Sequence, residues 1–262
     1  MTDNDARFGS AVEAVAGIAG VVAVSLGGSL ASGLADEASD IDMHVYFRAP
    51  LADTAERHAR IAAAADPGTP VREVGDWGLE DHFYVGGRLA ELIYVHLDDM
   101  RALVERAYGE GIGDEGFATA QLAFVAEGRP LHDREGALAA LRARLAVYPE
   151  ATRSRLLGSH PRLLRSYLGQ LRKAQSRGDL LFAQHRRYTL QMVFFNMLFA
   201  LNRRYHPGEK RLLVHGERCP LRPARLAERW ERIARLPADD TAVADLLQEL
   251  VDDLCRLADE AL

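Results

Sequence analysis

The sequence predicts an α+β protein in which a small mixed β-sheet domain comes first and an α-helical bundle follows. Strand-type patterns are confined to the residues before Asp98, helical periodicity replaces them from there to the end, and GRPLHD at 128–133 reads as turn material separating helical pieces. The expected division is a first domain of residues 1–130 and a second of residues 131–262.

Residues 5–18 place Phe8, Val12, Val15 and Ile18 at helical spacing, and VVAVSL from Val21 reads as a buried, β-branched strand ended by a Gly-Gly-Ser turn. Ile41, Met43, Val45 and Phe47 then alternate with Asp40, Asp42, His44 and Tyr46, giving a strand with one apolar and one polar face. Asp53 or Thr54 is placed to cap a helix running to about Ala65, and DPGTP at 66–70 breaks the chain. HFYV and RLAELIYVHL, joined by Gly86-Gly87, predict a hairpin. Helices are expected at about 98–108, 114–126, 135–146, 160–176, 179–204, 222–235 and 241–260.

A chain of 262 residues with 48% hydrophobic residues can bury a sizeable core. Cys219 and Cys255 have no paired spacing, which argues against a disulfide framework or a zinc site and suits a reducing cytoplasm. The polar, acidic start MTDNDARFGS lacks the pattern of a signal peptide, and Met192–Leu201 is too short to span a bilayer and reads as core helix. Charge is unevenly spread. Residues 1–130 carry 9 basic against 22 acidic side chains, whereas Ala151–Arg235 carries 19 basic against 5 acidic. Such a basic segment reads equally as solvated helix faces or as a surface for polyanions, a triphosphate or a nucleic acid.

The chemistry is concentrated in LGGS at 26–29 and SDID at 39–42. Glycine lets backbone N–H groups approach an anion closely, and a helix starting near Ser29 adds a favourable dipole and a hydroxyl donor for a phosphate. Asp40 and Asp42 on one strand face are about 7 Å apart along the backbone. Two like charges so placed call for a hard cation, and Mg²⁺ is the natural one because it bridges carboxylates to phosphates.

Gly-Gly-Ser, a nine-residue spacer and Ser-Asp-Ile-Asp, each joined to an apolar strand, resemble the signature of the DNA polymerase β nucleotidyltransferase superfamily, in particular small bacterial enzymes that modify aminoglycosides and lincosamides. The resemblance covers residues 21–96, and the later helices resemble the substrate domains of such enzymes in layout. It implies an enzyme that transfers a nucleoside monophosphate, AMP being expected, from an NTP, expected to be ATP, to a hydroxyl with release of pyrophosphate. One or two Mg²⁺ ions would be held by Asp40 and Asp42. A third carboxylate on a later strand is best matched by Glu91 in LAELIYV, as general base or as a further metal ligand; Asp81 and Asp98 read instead as exposed caps. Gly28 and Ser29 are implied phosphate contacts, Ser39 a contact to nucleotide or metal, and Lys210 the triphosphate-binding lysine. Tyr205 and His206 are candidates to stack on the base, while Asn196 reads as a buried, hydrogen-bonded amide.

A small-molecule acceptor is favoured, with no membrane partner; a tRNA, RNA or protein acceptor is the alternative that the basic segment supports, and a non-catalytic nucleotide-binding module is another. Arg155 to His160 matches the R-x4-H spacing of HEPN-type RNases, but 30 arginines and nine histidines make a chance match expected, and Pro161 immediately after the histidine argues against one helix continuing through it.

Overall fold

The computed structural model describes residues 3–36, 39–75, 78–113 and 116–261, and the fold is α+β. It comprises two compact units, Met1–Glu105 with Phe124–Val147, and Arg106–Ala123 with Tyr148–Leu262. The chain thus passes between units three times, where a single break near residue 130 was expected. The difference arises at Arg129–Asp133, which reads as turn material but forms a strand on the sheet edge. Pro130 is compatible with that position, since an edge strand leaves some N–H groups unused.

The first unit holds a six-stranded mixed sheet made of β1 (Val21–Leu26), β2 (Ile41–Phe47), β3 (Arg72–Val74), β4 (Glu80–Val85), β5 (Arg88–His96) and β6 (Arg129–Asp133). The spatial order is β3-β4-β5-β2-β1-β6, with β2 and β5 parallel and every other pair antiparallel. Gly86 and Gly87, both at positive φ, make the two-residue turn between β4 and β5. Helices α1 (Asp3–Ala16) and α3 (Thr54–Ala62) cover one sheet face, closing a core of Val15, Ile18, Met43, Val45, Ile61 and Leu92. Asp53 caps α3, its carboxylate accepting from the Glu56 N–H at 2.9 Å.

Asp81 belongs to this covered face and is no exposed cap. It is fully buried, accepting from Arg57 Nε at 2.9 Å and Tyr94 Oη at 2.8 Å and pairing with His58 Nε2 at 3.0 Å. Burial would raise the Asp81 carboxyl pKa, but the bonds from Arg57, Tyr94 and His58 outweigh it and hold the group below the usual carboxylate range. Asp98 does stand in the first turn of α4 (Leu97–Gly109), paired with Arg101 at 3.0 Å; α5 (Ala120–Glu127) and α6 (Ala137–Leu145) follow in the chain.

The second unit packs α7 (Glu150–Ser176), α8 (Leu180–Leu201) and α11 (Thr241–Glu260) around Leu164, Leu168, Phe194, Leu247 and Leu250, with α9 (Leu212–Glu217) and α10 (Leu226–Arg235) against them. Helix α7 runs through Pro161, against the expectation that a helix would stop there. The buried stripe Leu157, Leu164, Leu168 and Leu171 holds the helix together across the lost hydrogen bond. His160 is 1% exposed and its Nδ1 faces Ser159 Oγ at 3.0 Å, so the R-x4-H pair presents no accessible histidine. Asn196 is the bonded core amide that its apolar setting predicts, accepting from Ala118 N–H at 3.2 Å and donating to Gly116 C=O at 2.5 Å. Among the described residues, no helix is long and apolar enough to cross a membrane.

Candidate active site

The uncovered part of the sheet's second face carries the candidate site. Parallel pairing of β2 with β5 sets Asp42 opposite Glu91, and antiparallel pairing continues the row to His82 on β4 and Arg72 on β3. Residues opposite one another in a ladder project to the same face, so four polar side chains cross four strands in line. The short helix α2 (Gly28–Ser32) follows β1, and the Gly27 N–H donates to the Asp42 carbonyl at 2.8 Å.

Both glycines of the turn are required sterically. Gly28 has φ +57, and a Cβ built there would lie 1.8 Å from Asp42 Oδ2; one built on Gly27 would lie 2.6 Å from His44 Cε1. The Asp42 carboxylate therefore rests against the bare Cα of Gly28. The Ser29 hydroxyl has no hydrogen bond among the described residues, and α2 has no side-chain cap, leaving its first N–H groups available to a ligand.

Asp40 is exposed just before β2, at the end of a loop fastened by Ser39. The Ser39 hydroxyl donates to Asp36 Oδ1 at 2.9 Å and accepts from the Asp36 N–H at 2.9 Å, while its carbonyl accepts from Arg88 Nε at 3.0 Å and also from Arg88 Nη2. Ser39 thus shapes the loop that presents Asp40. Glu91 is half-buried, and burial raises its pKa; His82 opposes this, while Asp42, Asp40 and Glu80 raise it further. Negative charge therefore gathers on this face from three strands. Among the described residues, no three His, Cys, Asp or Glu side chains already form a metal-holding group.

The expected polar face of β2 is polar only at its start. His44 and Tyr46 are buried, His44 stacking on Phe124 at 4.5 Å. Burial lowers the His44 pKa to about 4, so it is neutral at pH 7. Lys210 is exposed in the turn before α9, in the second unit. Tyr205 and His206, expected as stacking surfaces, are instead buried at 8% and 1% exposure, Tyr205 against Tyr148 and His206 between Phe117 and Phe199. They are packing residues. Arg88, His82 and Arg72 went unnoticed in the sequence; strand register sets His82 and Arg72 in the row, and Arg88 reaches the Ser39 loop by its guanidinium.

Residues 10–73 match the family described as "Nucleotidyltransferase domain", and residues 116–212 match a "Domain of unknown function (DUF4037)". No match was found among curated proteins. Among solved structures, a nucleotidyltransferase-like protein from Exiguobacterium sibiricum is 15% identical, with 95% of this chain and 71% of that chain covered and a TM-score of 0.43.

Proposed function

From a chain whose residues 10–73 match the nucleotidyltransferase domain, we propose an enzyme that transfers a nucleoside monophosphate, AMP from ATP, to a hydroxyl of a small-molecule acceptor and releases pyrophosphate. The observation that carries this reading is the registered pair Asp42 and Glu91, with the Asp42 carboxylate lodged against Gly28 at the Gly-Gly-Ser turn.

The donor set suits a hard divalent cation, because Asp40, Asp42 and Glu91 bring carboxylates together on one face, and burial first, then Asp42 and Asp40, raise the Glu91 pKa. Asp40 and Asp42 would hold Mg²⁺, which when bound neutralises phosphate charge and favours attack at the α-phosphorus. Gly28 and Ser29 offer N–H groups and a hydroxyl to the phosphates. Glu91 accepts the acceptor's proton; its raised pKa makes it a stronger base than an exposed glutamate. Ser39 and Arg88 position Asp40 through the loop.

The test is incubation of the full chain with Mg²⁺ and each of four NTPs against pooled metabolites, antibiotics and tRNA, reading pyrophosphate and the mass of the acceptor. Mg²⁺-dependent transfer that disappears in Asp42→Asn supports the reading. Undiminished pyrophosphate release by folded Asp42→Asn defeats the metal assignment, and nucleotide binding without turnover in any pool favours a binding module. The 19 basic residues between Ala151 and Arg235 are the reason for including tRNA in the pools.

A further inference from the structure

The row of Asp42 and Glu91 does not end at the carboxylates. Beyond Glu91, on the same face, a cleft of about 340 Å³ is lined by Pro70, Arg72, Val74, His82, Tyr84 and Leu89. Register explains its make-up: Leu89 precedes Glu91 by two residues on β5, Tyr84 lies opposite Leu89, and Arg72 lies opposite His82. All four therefore share the face of Glu91.

Its direction matters. In an in-line displacement, the attacking oxygen approaches the α-phosphorus from the side opposite the departing pyrophosphate. With the phosphates at Gly28 and Ser29 beside Asp42, the far side is that of Glu91 and the cleft beyond it.

Its chemistry is distinctive as well. The Arg72 guanidinium is exposed and makes no hydrogen bond or ion pair among the described residues, whereas the adjacent Glu73 is taken by Arg57 at 2.6 Å. His82 is held by Glu80 at 3.3 Å. Tyr84 leaves 44% of its surface open, and Pro70, Val74 and Leu89 supply aliphatic wall. A single arginine thus stands at the end of an apolar trough.

We infer that this cleft is the acceptor subsite, and that the acceptor is a hydroxyl-bearing anion with a carboxylate or phosphate on Arg72 and an apolar body against Tyr84 and Leu89. The inference rests on the nucleotidyltransferase reading above. Arg72 is two strands from Glu91, so the anionic group and the reacting hydroxyl are separated by about 10 Å. In the transfer, the acceptor oxygen bonds to the α-phosphorus and the bond to the bridging oxygen breaks. That oxygen keeps the electron pair and leaves as pyrophosphate, and the hydroxyl proton passes to Glu91. A cationic acceptor of the aminoglycoside kind would meet Arg72 as a like charge.

The experiment uses the ¹⁵N-labelled full chain with Mg²⁺ and a non-hydrolysable ATP analogue, titrated with 8-hydroxyoctanoate, whose extended chain suits this span, and in parallel with 8-hydroxyoctanamide and 8-amino-octanol. The hydroxy acid is expected to shift the Tyr84 and Leu89 amides and the Arg72 Nε–H. The amide and the amino alcohol should bind roughly tenfold more weakly or worse, as should the hydroxy acid to Arg72→Gln. Equal binding of acid and amide, shifts confined to other residues, or an unchanged affinity in Arg72→Gln would overturn the inference. The analogue added alone reads the underlying reaction separately, through Gly27, Gly28 and Ser29. Silence there with the cleft shifts intact counts against nucleotidyl transfer, and silence in the cleft with those shifts present counts against the acceptor subsite.

Discussion

Replacing Gly28 by alanine isolates the contact between the Gly-Gly-Ser turn and the carboxylates. The new Cβ would lie 1.8 Å from Oδ2 and 2.7 Å from Cγ of Asp42, so the carboxylate must retreat by more than about 1 Å to restore ordinary contact. A displacement of that size in a catalytic constellation lowers rate by about 10². The φ of +57 adds a backbone penalty of about 1 kcal/mol for a residue with a side chain. Gly33→Ala is the control: its φ is +70, but nothing lies within 4 Å of the added carbon. We expect both variants to lose about 1 kcal/mol in urea unfolding, Gly28→Ala somewhat more, with only Gly28→Ala losing about 10² in pyrophosphate release at saturating Mg-ATP. Equal turnover in the two variants would show that the Asp42 carboxylate tolerates displacement, and the role given to Gly28 would fall.

Asp42→Asn should abolish transfer while leaving the fold intact, because it keeps size and removes a charge that raises the Glu91 pKa; circular dichroism beside pyrophosphate release checks this. If Glu91 is the base, Glu91→Gln should hold Mg-ATP affinity within a few-fold in calorimetry and slow single-turnover transfer by roughly 10² to 10⁴, whereas joint loss of affinity and Mg²⁺ dependence would make it a ligand. In the metal-free protein, carboxyl ¹³C titration should place Glu91 above the ordinary glutamate range, chiefly through burial, and Asp42→Asn should bring it down; no change in Asp42→Asn would contradict the gathering of charge on this face. Asp81→Asn should destabilise the sheet unit by about 1.5–3 kcal/mol, since it removes the charge-assisted bonds of a buried carboxylate and leaves the buried Arg57 paired with Glu73 alone. Because the Asp81 pKa is depressed, its contribution is present above the ordinary carboxylate pKa and is lost as pH falls through the depressed value. Unfolding midpoints across the acid range should fall less steeply in Asp81→Asn than in the wild type.

Much of the sheet was legible because its signals are local. VVAVSL and the alternation from Ile41 to Phe47 mark β1 and β2 at their observed bounds, and Gly86-Gly87 marks the hairpin. What was missed depends on contacts between distant residues. Arg129–Asp133 is a strand because β1 offers it an edge, and His44 in β2 is buried where Phe124, distant in the chain, stacks on its ring. Asp42 was visible as a member of a motif. Its neighbours in the row, His82 and Arg72, are single polar residues in unremarkable strands, and register alone gives them a place.

The interleaving of the two units also constrains the order in which the chain can fold as it is made. When β5 has emerged, β1 is paired with β2 on one side only, and its other edge waits for β6. Between them the chain must first produce Arg106–Ala123, which belongs to the other unit. For that interval the nascent sheet carries an open edge beside the strand that leads into the glycine turn, the kind of edge that pairs readily with another chain. A fragment cut at residue 130 would hold this transient condition permanently.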